Sequence, residues 1–162
     1  KSFKLQAHER PINVLKIKPG RKDDIKVPEI ILNGDINIIT AFLRGIFDTD
    51  CNLNFASKYG YKSYYPNISI YQSSEYLIKD LKYLLDLLSL RPSIYKDKRY
   101  KGFTISLYGY NRFLRYIQLI GFNNEKHLKK VRKWKVMYPE LSKKVERVGG
   151  IEPPSQDNCF HD

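Results

Sequence analysis

The sequence is short of the residues that mark secreted, redox or histidine-driven proteins. Only two cysteines, Cys51 and Cys159, occur in 162 residues. They are too few and too far apart for a disulfide framework or a zinc pattern, which suggests a reducing, intracellular compartment such as cytoplasm or nucleoid. The three histidines, His8, His127 and His161, are scattered, so no His or Cys pair forms a convincing catalytic set, and His127 is a weak candidate. No apolar run is long enough to span a bilayer; Ile36–Phe47 is short and interrupted, so no membrane partner is expected. No signal peptide opens the chain, and its start at Lys1 without Met suggests a piece trimmed from a longer product. Acidic residues are also scarce: 17 Asp and Glu face 29 Lys and Arg, a net charge of +12.

That imbalance points to a polyanionic partner, nucleic acid or an acidic membrane face. Aromatic residues make up 14 % of the chain, 13 of them Tyr, too many for a disordered basic tail. The length suits one domain able to bury its own core.

Residues 1–34 read as a basic N-terminal extension. Within it PINVLKIKPG has the alternation of a short strand, and RKDDIKVPE reads as a loop. Asn33-Gly34-Asp35 ends that segment, and Asp35 can cap a helix beginning at Ile36. Ile39, Phe42, Leu43, Ile46 and Phe47 then share one helical stripe, while Ile38, Ala41 and Gly45 form a second that becomes small. A helix apolar or small nearly all round is expected to be buried on both sides. Gly45 costs about 1 kcal/mol against Ala in a helix interior, and close approach of another backbone is the usual compensation.

Two alternating runs follow, Cys51–Tyr59 and Tyr65–Tyr71, then a helix from Ser73-Ser74-Glu75 with a Leu stripe. A second hairpin is expected over Ser93–Lys98 and Gly102–Tyr108, then helices over Asn111–Ile120 and the basic NNEKHLKKVRKWKVMY, continued by LSKKVERV. The order is αββαββαα, an α+β architecture in which helices cover the apolar face of a four-stranded antiparallel sheet. The expected domain is 35–148, followed by a disordered tail, 149–162.

The polar sheet face offers Asn52, Asn54, Lys58, Asn67, Ser69, Tyr71, Thr104 and Ser106. These side chains suit hydrogen bonding to base edges and phosphates, and differ from the Glu/Lys mixture of an ordinary wet face. Lys96 and Lys98 share a face of the third strand and join the candidates for DNA contact. Asp48 and Asp50 sit where the first long helix ends, a position the helix dipole disfavours for anions. They read either as cap and turn groups or as oxygen ligands for a divalent cation such as Mg²⁺.

The run Leu43-Arg44-Gly45-Ile46-Phe47-Asp48-Thr49-Asp50-Cys51, with Ala41-Phe42 before it, resembles the LAGLIDADG motif of the homing endonucleases. The αββαββα order after it is similar to that family's fold, whose four-stranded sheet forms a DNA-binding saddle. Arg44 and Cys51 depart from the motif's lettering. The resemblance implies that Asp50 is the metal ligand beside the scissile phosphate and that Asp48 is structural. It implies that Ala41, Gly45 and Thr49 let two motif helices pack, and that Gln72 helps to order water. It also implies a basic residue that stabilises the charged phosphate; Lys126 is the first candidate, with Lys129 and Lys130 as rivals. A single motif implies a homodimer with one Asp50 per DNA strand.

The implied activity is Mg²⁺-dependent double-strand cleavage, with Mn²⁺ able to substitute, at a long, roughly palindromic intron-homing site. The alternatives are a non-cleaving nucleic-acid binder of the same fold, an RNA maturase or regulator, and an unrelated basic α+β RNA binder.

Overall fold

The computed structural model describes residues 24–58, 60–97 and 101–141. The expected strand near residues 11–20, Lys98, the helix continuation beyond residue 141, the C-terminal tail, Cys159, His8 and His161 lie outside the described residues.

A short helix, α1 (Glu29–Leu32), precedes the long α2 (Ile36–Asp50). No periodicity marks α1, because four residues are too few to show a helical repeat. Ahead of it Val27 is buried in the core, and its amide donates to Asp80 Oδ2 at 2.9 Å. Packed structure therefore starts before residue 35, and RKDDIKVPE is a loop only in part.

Helix α2 begins where Asp35 Oδ1 accepts the amides of Asn37 and Ile38, at 2.8 and 3.0 Å, satisfying two of the donors a helix start leaves unpaired. Ile39, Leu43 and Phe47 are buried, and Phe42 and Ile46 pack against the core. The expected two-sided burial is met on one side only within a single chain. Ile38, Ala41, Gly45 and Thr49 are exposed among the described residues.

Strands β1 (Cys51–Lys58) and β2 (Tyr61–Gln72) form the first hairpin; α3 (Glu75–Leu87) follows; β3 (Ser93–Asp97) and β4 (Gly102–Tyr108) form the second. The sheet is antiparallel throughout, in the order β1-β2-β4-β3. Strand β2 starts four residues before the expected Tyr65, since Lys58 pairs with Tyr61 beyond an irregularity in β1 that breaks the alternation there. Ile68, Ile70, Ile105 and Leu107 fill the apolar face, against Leu77, Ile78, Leu81, Leu84 and Leu85 of α3.

Helix α4 (Tyr110–Leu119) and the basic α5 (Glu125–Met137) close the core. Phe55, Phe113 and Trp134 meet with ring centroids 5.2–5.8 Å apart, and Trp134 Nε1 donates to Tyr64 O at 3.0 Å. That aromatic knot fixes the far end of α5 against the first hairpin. Among the described residues no helix is long and apolar enough to cross a membrane.

Candidate nucleic-acid interface and metal-binding carboxylate

The C-terminal end of α2 delivers two carboxylates, and the fold gives them different work. Asp48 accepts the amide of Asn123 on both oxygens, at 3.1 and 3.0 Å, and the amide of Asn124 at 3.1 Å. Asn124 Nδ2 returns a bond to Asp48 O at 2.8 Å, and Asn124 Oδ1 caps α5 through the Lys126 amide. The anion at the unfavourable end of α2 is thus the anion at the favourable start of α5. No cation is needed to relieve Asp48, which answers the ambiguity left by spacing alone.

Asp50 is exposed, and Oδ2 accepts Gln72 Nε2 at 3.0 Å. Gln72 is the last residue of β2 and lies in register with Phe103, on the helix-bearing side of the sheet. That side brings it to the end of α2. The bond orients the carboxylate and leaves Oδ1 without a partner among the described residues.

Helix α5 lies against β1 and brings Lys126 and Lys130 to this corner. Lys130 Nζ donates to Leu53 O at 2.7 Å, which occupies it structurally. Lys129 and Lys126 are exposed, and the Lys126 ammonium has no hydrogen-bond partner among the described residues. Its field reaches the motif: burial pushes the Cys51 thiol up to about 12, Asp48 adds to the rise, and Lys126 followed by Lys130 opposes it.

His127 is buried, 3.7 Å from Cys51 Sγ through Nε2 and packed on Phe122. Burial first, then the Lys126 charge, lowers its pKa. It belongs to the packing beneath the site.

Among the described residues no three His, Cys, Asp or Glu side chains gather around one point. One exposed carboxylate with a free oxygen does fit Mg²⁺, which keeps several waters and binds through one or two carboxylates plus substrate phosphate. It would not fit a closed protein cage.

The sheet's other face carries the candidate contact residues in cross-strand rows. Asn52, Ser69, Ser106 and Ser93 form one; Asn54, Asn67 and Tyr108 a second; Tyr71, Thr104 and Tyr95 a third. Lys58 Nζ sits 4.0 Å from the Tyr65 ring centroid. Asn52, Asn54, Lys58 and Tyr71 are exposed, and Asn67, Ser69 and Thr104 half-buried.

Two of the expected residues stand elsewhere. Lys96 pairs with Phe103, and its ammonium lies over that ring; it is on the opposite face, with Gln72. Ser106 is 2 % exposed with an unpaired hydroxyl, in the row next to the Tyr95–Tyr108 edge-on pair. Tyr95, Ser93 and Tyr108 take the surface positions that sequence reasoning missed. Ser93–Asp97 has one aliphatic residue, Ile94, so its phase is legible only from the pairing of Ile94 with Ile105. The Tyr71 ring lies over Gly102, where an added Cβ would come within 2.4 Å of it.

The family model for the LAGLIDADG-like domain matches residues 37–133, more than half of the chain. The chain belongs to the LAGLIDADG homing endonuclease family. The matched span opens inside α2, carries the LAGLIDADG run itself and closes in α5, so Asp48, Asp50, Gln72, Lys126 and the polar rows of the sheet all lie within it. The four-stranded antiparallel sheet with its helices is the α+β LAGLIDADG fold. This is a family of homing endonuclease and maturase type, and it implies DNA binding. A search of curated proteins returned no match.

Removing the Asp48 carboxylate should loosen the LAGLIDADG corner without touching Asp50. Asp48→Ala deletes the charged acceptor of two backbone amides, those of Asn123 and Asn124, at a helix start and should cost about 2 kcal/mol. Thermal unfolding should show a midpoint several degrees lower; an unchanged midpoint would mean that the α2–α5 tie contributes nothing.

Proposed function

We propose that the protein is a metal-dependent DNA endonuclease that makes a double-strand break at a long, roughly palindromic intron-homing site. The observation that carries this reading is the Asp50 carboxylate. It is exposed, oriented by Gln72 and placed at the edge of a polar, basic-flanked sheet.

Asn52, Asn54, Ser69, Tyr71 and Thr104 meet base edges, and Lys58 with the exposed lysines of α5 meets phosphates. Asp50 would hold a divalent cation, and Gln72 fixes the orientation of its carboxylate through Oδ2. Bound Mg²⁺ supplies Lewis-acid polarisation of the phosphate and a more acidic water. Lys126 places its charge where negative charge grows on the phosphoryl oxygens. Two copies meet through the Ala41, Gly45 and Thr49 stripe, so that each strand receives one Asp50.

The test is cleavage of a duplex carrying the intronless insertion site, with Mg²⁺ or Mn²⁺ and with EDTA. Metal-dependent double-strand products are expected. Specific binding with no cutting in either metal would reject the endonuclease.

A maturase-type RNA binder is the second reading, and the exposed tyrosines Tyr71, Tyr95 and Tyr108 favour it. Aromatic platforms suit unstacked bases better than duplex edges. Preference for intron RNA over the duplex in competition would select it.

A further inference from the structure

One cleft lies apart from the Asp50 centre and is built from chemistry that centre does not use. Gln72 pairs with Phe103 and Asn67 with Tyr108, so Tyr108 stands five residues along the strands from the carboxylate, about 17 Å away. There Tyr65 and Tyr108 of the sheet, Arg112 and Arg115 of α4, and Arg91 of the α3–β3 connection line a cleft of about 480 Å³. No Asp or Glu lines it, and none of the three guanidiniums pairs with a carboxylate among the described residues.

Three like charges converging without a counter-ion oppose folding, and an anion between them removes the repulsion. The backbone holds them there. Arg91 sits in the left-handed region at φ 46°, between buried Leu90 and Pro92. Arg112 Nη1 donates to Tyr108 O at 3.2 Å and Arg115 Nε to Leu88 O at 2.7 Å, each spending one of five N–H donors. Gly109 precedes α4 without a side-chain cap, and Gly109, Tyr110 and Asn111 at the start of that helix also line the cleft.

We propose that this cleft holds a backbone phosphodiester of the bound nucleic acid, roughly five to seven nucleotide steps from the metal-binding carboxylate. It rests on the nucleic-acid reading above and adds a contact outside the central rows. Planar guanidinium forks match phosphate oxygens, and Tyr65 and Tyr108 belong both to the cleft and to the reading face, so one polyanion can run across both.

The test uses the full chain and measures duplex affinity against salt concentration. Replacing Arg91→Gln and Arg112→Gln together should reduce the log–log slope by roughly one, at about 0.9 for the one phosphate the cleft holds, and raise Kd at least about tenfold near physiological salt. Arg91 makes no hydrogen bond among the described residues, so Arg91→Gln alone carries the test if the double variant misfolds, with half the slope change. Neutral methylphosphonates scanned along the duplex should weaken the wild type at a distal position and leave the variant indifferent to it. An unchanged slope and Kd would overturn the cleft assignment while leaving DNA binding intact. Micromolar binding of inorganic phosphate or a mononucleotide, with duplex affinity unchanged in the variant, would overturn it in favour of a small-anion site. A wild type that binds no nucleic acid would instead overturn the parent reading.

Discussion

Asp50→Asn should abolish cleavage while leaving DNA binding within a few-fold of wild type. The amide is the same size as the carboxylate, and its oxygen can still accept Gln72 Nε2, which now donates to Asp50 Oδ2 at 3.0 Å. Only the negative charge is lost. That charge is what binds a hard cation, and loss of one group that stabilises a charged transition state costs roughly 10³-fold in rate. Binding should hold or tighten, because one anion facing a phosphate is removed from a protein of net charge +12. A single-turnover assay at saturating duplex, with a gel-shift titration beside it, separates the two effects. Full cutting by Asp50→Asn would take the residue out of the metal-binding role. Lost cutting with lost binding would point to a folding defect.

The second large effect is expected at Gly45. Among the described residues of one chain a Cβ at this position would meet nothing within 4 Å. If the protein acted as a monomer, Gly45→Ala would raise helix stability by about 1 kcal/mol, and Gly45→Leu would be tolerated on an exposed surface. In the homodimer proposed here the outcome reverses, because the stripe of Ala41, Gly45 and Thr49 lets two helix backbones approach. Gly45→Leu should sediment as a folded monomer at micromolar concentration and lose double-strand cleavage. Circular dichroism with unchanged helix content would show that the fold is intact. A variant that stays dimeric and active would refute the seam. A wild type that is itself monomeric would do so sooner.

Much of the fold was legible because periodicity and caps agreed. The Asp35 cap, the Ile39–Leu43–Phe47 stripe, the order of hairpins and helices and the apolar row of Ile68 and Ile70 were all readable from spacing. Long-range pairing was not. The phase of β3 turned on one aliphatic residue, and only its partner Ile105 shows that Tyr95 and not Lys96 belongs to the polar face. Asp48 carried the same difficulty. Spacing placed two acids at one helix end, while the amides of Asn123 and Asn124, some 75 residues away, decide which of them is occupied structurally. The Trp134 knot and the tie of Lys130 to Leu53 are likewise contacts between distant segments, invisible to any local pattern.

The bare backbone of Gly102 beneath the Tyr71 ring gives the reading surface a remote adjustment. The ring rests in a space that any Cβ at residue 102 would claim. Since the atoms in the way are the far end of a flexible side chain, the strand need not yield; the tyrosine would swing outward instead. Residue 102 therefore acts as a set-screw. Altering it would re-aim one aromatic on the polar sheet face while leaving each side chain proposed to face bases chemically as it is, a route to retuned sequence preference through a position that itself has no side chain with which to touch a nucleic acid.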